Sequence, residues 1–174
     1  MNIDKLAEVV CRLKDTSRNG WIARKVDNPE SVADHSYGLC LLTLILCPKE
    51  LDRLKCLEFA IVHDLAESIT GDYIPSDNIN PKVKYKLEYE AMEKISQQAN
   101  CPKLLDLFVE YEKRDTPEAV FVKKMDKVDV VLQARYYDIH HRSHFFEQKQ
   151  EWNSLFEEYE KNARKILGDF LEKI

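Results

Sequence analysis

The sequence predicts an all-α fold, and three observations lead to that expectation. The 174-residue chain contains only 4 glycines and 6 prolines, so it has few residues that form turns. Apolar residues recur at helical spacing along most of its length. Hydrophobic residues make up 44% and charged residues 33% of the chain, a balance typical of a globular protein. The length suits one domain with its own core, and we expect residues 1–174 to form it.

Six or seven helices are predicted from the apolar spacing and from residues that begin or end helices. Asp34 is a candidate cap for the second helix. Asn80-Pro81 and Thr116-Pro117 each place a capping residue before a proline at the first helical position. Irregular segments are expected over 16–33 and 71–80. The helices are expected at about 3–14, 35–47, 50–69, 80–98, 102–113, 116–139 and 149–174.

Charge and composition exclude several classes of function. The formal net charge is −5, and the Lys and Arg residues are scattered, so the chain has no basic footprint for a nucleic-acid polymer. No apolar run approaches the roughly 20 residues of a membrane span. The five cysteines include no CxxC pair, which favours free thiols in a reducing compartment. We therefore expect a cytoplasmic protein with a small-molecule partner and no membrane association.

The third predicted helix carries polar residues inside an apolar sequence, FAIVHDLAES, which contains His63, Asp64 and Glu67. An unpaired carboxylate is costly to bury, so such groups are normally paired or bind a metal. No Lys or Arg adjoins this segment. On a continuous helix His63 and Glu67 share one face, and Asp64 is rotated by about 100° from His63. A divalent cation is one way to compensate these charges.

Two further residues extend this pattern. His35 lies at the start of the second predicted helix, and Asp126 interrupts the apolar stretch VFVKKMDKVDVVLQA. Two imidazoles with two carboxylates suit a transition metal such as manganese, iron, cobalt or zinc. Each residue taken singly has a more ordinary interpretation. A buried histidine is often only hydrogen-bonded, and Asp126 between Lys124 and Lys127 could be a solvated ion pair.

The order H…HD…D, with Glu67 one turn after the HD pair, resembles the HD-domain superfamily of metal-dependent phosphohydrolases. The strings PESVADHSYG, VHDLAESITGDYIP and KKMDKVD, with RNGW at Arg18 to Trp21, are similar to those of the small HD-domain 5'-deoxynucleotidases. The resemblance covers about residues 4–137. It implies an all-α helical bundle, usually a homodimer, that hydrolyses (deoxy)nucleoside 5'-monophosphates with a metal such as cobalt or manganese.

The resemblance also implies roles for individual residues. The metal ligands would be His35, His63, Asp64 and Asp126. Glu67 would lie near the attacking water, Asp72 near the sugar and phosphate, and Arg18 would engage the phosphate. In the bacterial members a tryptophan directly follows that arginine and helps to select the sugar. Trp21 is still expected to contact the substrate, but Asn19-Gly20 intervenes before it here, so the sugar preference stays open.

Two alternatives remain. One is an HD hydrolase that acts on another nucleotide, such as a triphosphate or guanosine tetraphosphate. A cyclic-dinucleotide hydrolase is disfavoured because the GYP signature of that group is missing. The other is a non-catalytic helical binding protein that keeps a structural metal. Arg18, Glu67 and Asp72 argue against it, because a structural site needs only ligands.

Overall fold

Eight α-helices follow one another in the computed structural model, which describes residues 1–140, 158, 159, 161 and 163–165. A 3-10 turn at Pro75–Asp77 lies between the fifth and sixth helices, and no strand forms within the described residues. The all-α prediction is confirmed. The helices are α1 (Ile3–Asp15), α2 (Asn19–Ile22), α3 (Val32–Leu46), α4 (Arg53–Val62), α5 (Glu67–Thr70), α6 (Pro81–Ala99), α7 (Lys103–Lys113) and α8 (Pro117–Ile139).

Capping residues set most of the helix starts. Asn80 accepts a hydrogen bond from the Lys82 backbone N–H at 2.9 Å, and Thr116 caps α8 as predicted. For α3 the prediction was wrong, because the cap is Ser31 and not Asp34. The Asp34 backbone N–H donates to Ser31 Oγ (3.1 Å), and the Ser31 N–H donates to Asp34 Oδ2 (2.9 Å). Asp34 thus completes a capping box from the third helical position.

The core forms where α3, α4 and α8 pack against one another. Leu39 of α3, Phe59 of α4 and Met125 of α8 are fully buried there. Helix α7 covers α4 and adds Tyr111. On the other side, α6 packs against α1, α5 and α7. Fully burying one such side chain stabilises the fold by about 1.5–3 kcal/mol, so the three central helices are held in fixed relative positions.

The third predicted helix differs from the observed one in both length and buried face. It was expected over 50–69, but α4 ends at Val62. Its apolar residues surround nearly the whole helix, which favours a helix buried on all sides, yet Leu54 and Ile61 are 67% and 55% exposed. The buried residues are Cys56, Phe59, Ala60 and Val62. Apolar residues surround nearly the whole helix, so the sequence pattern did not distinguish the face that packs against α3 and α8.

Residues 63–66 form a tightened turn between α4 and α5. The backbone N–H groups of Leu65, Glu67 and Ser68 each donate to the carbonyl three residues earlier, the 3-10 pattern. The predicted continuous helix is therefore interrupted between His63 and Glu67. The turn directs the His63-Asp64 pair and Glu67 towards the same region from different elements.

Within the described residues, no helix is both long and apolar enough to span a membrane. The last predicted helix, at about 149–174, lies mostly outside the described residues, and those described between 158 and 165 are helical. Among them Ala163 is buried in the core and Tyr159 packs against it. That all of residues 1–174 form one domain stays a prediction.

We expect Ser31→Ala to lower the free energy of unfolding by about 1 kcal/mol, because it removes the oxygen that caps α3. Chemical denaturation measures this change. Ser36→Ala on the same helix is the matched control, and it should be neutral or slightly stabilising because Ala is the better helix former. Equal losses in the two variants would contradict the capping role.

Candidate metal centre and adjoining pocket

Three predicted ligands converge where the central helices meet. His35 comes from the first turns of α3, His63 directly follows α4, and Asp126 lies in the middle of α8. His63 Nε2 lies 3.3 Å from His35 Nε2, which lies 3.5 Å from Asp126 Oδ1. One ligand atom of each residue lies within 4.8 Å of the other two, and all three residues are buried. The helix packing thus brings together residues far apart in sequence.

Asp64 reaches the same place from the turn after α4. Its Oδ2 lies 2.9 Å from His63 Nε2 and 3.8 Å from His35 Nε2. Burial would raise the pKa of Asp64, but the neighbouring His63, His35 and Arg18 outweigh that effect and lower the pKa below its ordinary value. The carboxyl is therefore ionised beside both imidazoles.

The two imidazoles present Nε2 towards the centre. His63 Nδ1 lies 2.9 Å from the Ala60 carbonyl oxygen, which can only accept, so Nδ1 must donate. Burial and Arg18 act to lower the pKa of His35. Hydrogen bonds to Asp126 and Asp129 act in the opposite direction and outweigh them, so that the pKa is raised to about 9. The position beside His35 Nε2 therefore strongly attracts positive charge.

The two oxygens of Asp126 face different partners. Oδ1 faces His35, while Oδ2 accepts from Lys123 Nζ at 2.8 Å and lies 3.3 Å from Lys127 Nζ. Burial opposes ionisation, but both lysines and His35 hold the pKa of Asp126 well below its ordinary value. Asp126 does pair with Lys127, and with Lys123 as well, but it is only 4% exposed, so the alternative of a solvated ion pair does not fit.

Glu67 is buried at the edge of the centre, and its Oε2 has no hydrogen-bond partner in the part of the chain that the structure describes. Burial, followed by the negative charges of Asp64 and Asp72, raises the pKa of Glu67 well above its ordinary value. A buried carboxyl oxygen without a partner is unfavourable unless a cation or water completes it. With two imidazole nitrogens and carboxylate oxygens nearby, these residues fit a divalent transition ion.

A pocket of about 190 Å³ opens beside this centre. Asp64, Glu67 and Asp126 line it on the side of the imidazoles, and five cationic side chains of the described residues also line it: Arg18, Arg24, Lys84, Lys123 and Lys127. Tyr159 also lines the pocket, so the C-terminal part of the chain contributes to it. Apolar side chains, including Ile74 and Val130, complete the walls. The combination suits a small anionic ligand with an apolar portion.

Arg18 is held between the centre and the pocket. It is the residue before α2, and its backbone N–H donates to the Glu30 carbonyl at 3.0 Å. Its Nη1 lies 3.5 Å from Asp64 Oδ2. Burial would lower the pKa of Arg18, but Asp64, Asp72, Asp126 and Glu67 together raise it. A permanently charged guanidinium therefore faces the pocket.

Asp72 lines the pocket and directly follows Gly71, the glycine that ends α5. Gly71 ends α5 with φ 75° and ψ 170°, a conformation that is essentially restricted to glycine. Asp72 is buried, and its Oδ2 accepts from the Asn19 backbone N–H at 2.6 Å. Asn19 Nδ2 also donates to the Asp72 carbonyl at 2.6 Å. Asp72 thus anchors the segment that carries Arg18.

Trp21 belongs to both the pocket and the core. Only 3% of it is exposed, and its indole N–H donates to Glu30 Oε1 at 2.8 Å. Its ring meets Tyr137 edge to face, with centroids 5.3 Å apart. It also lines the pocket. The structure therefore gives Trp21 a packing role that the sequence did not predict, and its contact with a substrate stays a prediction.

Sequence reasoning missed three charged residues next to the centre, which are Asp129, Lys123 and Lys84. Asp129 Oδ2 lies 2.7 Å from His35 Nδ1. Lys123 and Asp129 are each three residues from Asp126, so the helical spacing of KKMDKVD could have identified both. Lys84 lies on α6, and no sequence pattern links it to the HD pair.

Comparisons with known proteins identify the family of this chain. A model of the HD-domain family matches residues 10–166. The chain is 38% identical over 145 residues to the 5'-deoxynucleotidase hdd1 of Schizosaccharomyces pombe, covering 79% of this chain and 73% of that protein. It is 39% identical over 138 residues to human 5'-deoxynucleotidase HDDC2, covering 77% and 68%. A crystal structure of a Pyrococcus horikoshii protein superposes with a TM-score of 0.76 at 35% identity, covering 98% and 96%. The chain belongs to the HD-domain family.

Proposed function

We propose that this protein is a metal-dependent phosphohydrolase that removes the 5'-phosphate from (deoxy)nucleoside 5'-monophosphates, giving nucleoside and phosphate. The observation that carries the proposal is the buried group His35, His63 and Asp126 at the end of a pocket lined by cations. Relatives named 5'-deoxynucleotidase match most of the chain and support the same reaction. The proposed reaction is the hydrolysis of a phosphomonoester.

His35, His63, Asp64 and Asp126 are the proposed ligands of one divalent ion, which we take to be cobalt, manganese, iron or zinc. Nitrogen and oxygen donors of this kind suit all four ions. The chemistry that such an ion supplies is Lewis acidity towards a water and a phosphoryl oxygen. Asp126 offers Oδ1 to this centre because the two lysines hold Oδ2.

Arg18 is the proposed phosphate-binding residue. Its planar guanidinium can donate two parallel hydrogen bonds to phosphate oxygens. Lys123 and Lys127 line the same pocket and add positive charge. Trp21, with Ile74 and Val130, would provide an apolar wall for the nucleoside.

Glu67 and Asp72 are the proposed catalytic carboxyls. The raised pKa of Glu67 suits a group that orients water or transfers a proton near neutral pH. The 5'-hydroxyl is a poor leaving group and benefits from protonation. Asp72 would position the sugar or assist that proton transfer, and its hydrogen bond from Asn19 fixes its place beside Arg18.

We further propose a cytoplasmic homodimer. Helix α3 exposes an apolar stripe of Tyr37, Leu41, Leu44 and Ile45, which a second copy could cover. Sedimentation that showed only monomer at micromolar concentration would contradict the dimer. The proposed location rests on the cysteine pattern, five residues with no CxxC pair, which favours free thiols in a reducing compartment. A tagged protein found outside the cytoplasm would contradict the location.

The proposed function is tested by phosphate release from a nucleotide panel across several metals. Purified protein should hydrolyse nucleoside 5'-monophosphates with added cobalt or manganese, and EDTA should abolish this activity. Nucleoside triphosphates and guanosine tetraphosphate in the same assay test the other HD-type reactions. Bound metal without turnover of any nucleotide would instead support a binding protein with a structural metal.

We expect His63→Ala to lose metal and to reduce metal-dependent activity at least about 100-fold, since removing one ligand leaves the charges of Asp64 and Asp126 uncompensated. Metal content by elemental analysis and phosphate release by colorimetry measure the two effects. His140→Ala, at an exposed position after α8, is the matched control and should keep both. Full metal-dependent activity in His63→Ala would refute the ligand assignment.

We expect Arg18→Ala to lower kcat/KM by about 10- to 100-fold while the metal stays bound, because one to two charge-assisted hydrogen bonds to the phosphate are lost. Arg12→Ala removes an exposed arginine that pairs with Glu8 and serves as the matched control. Loss of metal from Arg18→Ala, with kcat/KM following the metal content, would show that Arg18 supports the metal centre and does not bind phosphate.

A further inference from the structure

We propose that Asp129 is a positioning residue, which fixes His35 in the orientation and tautomer that a metal requires, and that Gly38 provides the space for this carboxylate. The inference rests on the metal centre of the proposed function and adds a residue that contacts one of the proposed ligands. Asp129 Oδ2 lies 2.7 Å from His35 Nδ1, and both residues are buried. His35 itself is fully buried, so water cannot replace this partner.

The hydrogen bond determines which ring nitrogen can bind a metal. An ionised carboxylate only accepts, so His35 Nδ1 carries the proton and donates it to Asp129. In the neutral ring, Nε2 then keeps its lone pair, and it faces His63 Nε2 at 3.3 Å and Asp126 Oδ1 at 3.5 Å. Histidine ligands in metalloproteins generally donate their other N–H to such a partner. Asp129 therefore acts through His35 and does not reach the reacting atoms.

Gly38 accounts for the position of the Asp129 carboxylate. It lies three residues after His35 on α3, and a Cβ added there would lie 2.5 Å from Asp129 Oδ1. Glycine within a helix is normally unfavourable compared with alanine. Here the missing side chain creates the space in which a carboxylate from α8 reaches the imidazole. Glycine at this position is required for close approach and not for a special backbone conformation.

A second metal site on the opposite side of His35 is the competing interpretation, since Glu30, His35 and Asp129 also cluster. The distances disfavour it. His35 Nδ1 and Asp129 Oδ2 are 2.7 Å apart, which is hydrogen-bond distance, whereas two ligands each about 2.0–2.2 Å from one ion normally lie farther apart. Glu30 Oε1 is also engaged by the Trp21 indole N–H.

The test measures the affinity of the purified protein for Co²⁺, and the visible absorption of the bound ion monitors the titration. Asp129→Asn keeps the size of the side chain, but its amide can donate to Nδ1 and favour the wrong tautomer. We expect its Co²⁺ affinity to fall about 10- to 100-fold. Asp138→Asn, an acid-to-amide change later on α8, is the control and should bind like the wild type. Nitrogen NMR of the zinc-loaded wild type should show His35 protonated at Nδ1.

Gly38→Ala provides an independent route to the same carboxylate. It should also weaken Co²⁺ binding, because its Cβ displaces Asp129. In an Asp129→Ala background the clash is gone, so Gly38→Ala should cause no further loss. An equal additional loss in that background would show that Gly38 acts elsewhere. Should Asp129→Asn fail to fold by circular dichroism, Gly38→Ala alone still decides whether displacing the carboxylate affects the metal.

Two outcomes separate this inference from the function on which it rests. If the wild type binds Co²⁺ and Asp129→Asn binds it equally well, the positioning role is wrong. This holds even if metal-free Asp129→Asn is less stable than the metal-free wild type. If the wild type binds no divalent ion and hydrolyses no nucleotide, the proposed function fails and the inference fails with it.

Discussion

The structure depends on how the charge of buried carboxyl groups is compensated where α3, α4 and α8 meet. Asp126 and Glu67 are buried, and Asp64 lies beside them. Burying such charges costs several kcal/mol unless cations or hydrogen-bond donors offset them. Two imidazoles, two lysines and an arginine supply part of that compensation. Within the described residues one Glu67 oxygen has no hydrogen-bond partner and two imidazole nitrogens face each other, an arrangement that one more cation would complete.

This electrostatic requirement connects the core to the pocket. Lys123, Lys127 and Arg18 hold carboxylates of the centre while lining the cavity beside it. An anionic ligand entering the pocket would therefore meet positive charge already placed by the needs of the buried acids. Preorganised charge of this kind stabilises developing negative charge without rearrangement during the reaction. Under the proposed function, the same contacts serve folding, cation binding and phosphate recognition.

Much of the fold could be predicted because its signals are local. Asn80-Pro81 and Thr116-Pro117 begin helices as expected, since a cap bonds to backbone groups only two or three residues away. The residues of the candidate centre were also identifiable, because acids and histidines within apolar helices need a partner. The length of α4 was predicted wrongly, and its exposed side was not predicted. Apolar residues surround that helix, so its periodicity carried no information about which side packs.

The sequence by itself determined the all-α class and most helix starts, and together with the family resemblance it indicated the candidate ligands of the centre. Only the tertiary structure decided how those residues are held. Asp129 meets His35 across 94 positions, and Asp72 meets Asn19 across 53. Trp21 is fixed by Glu30 and Tyr137. Such pairings depend on which helices pack together and on the space that Gly38 leaves open. A local pattern contains the chemistry of each group, but the distance between two groups follows from packing.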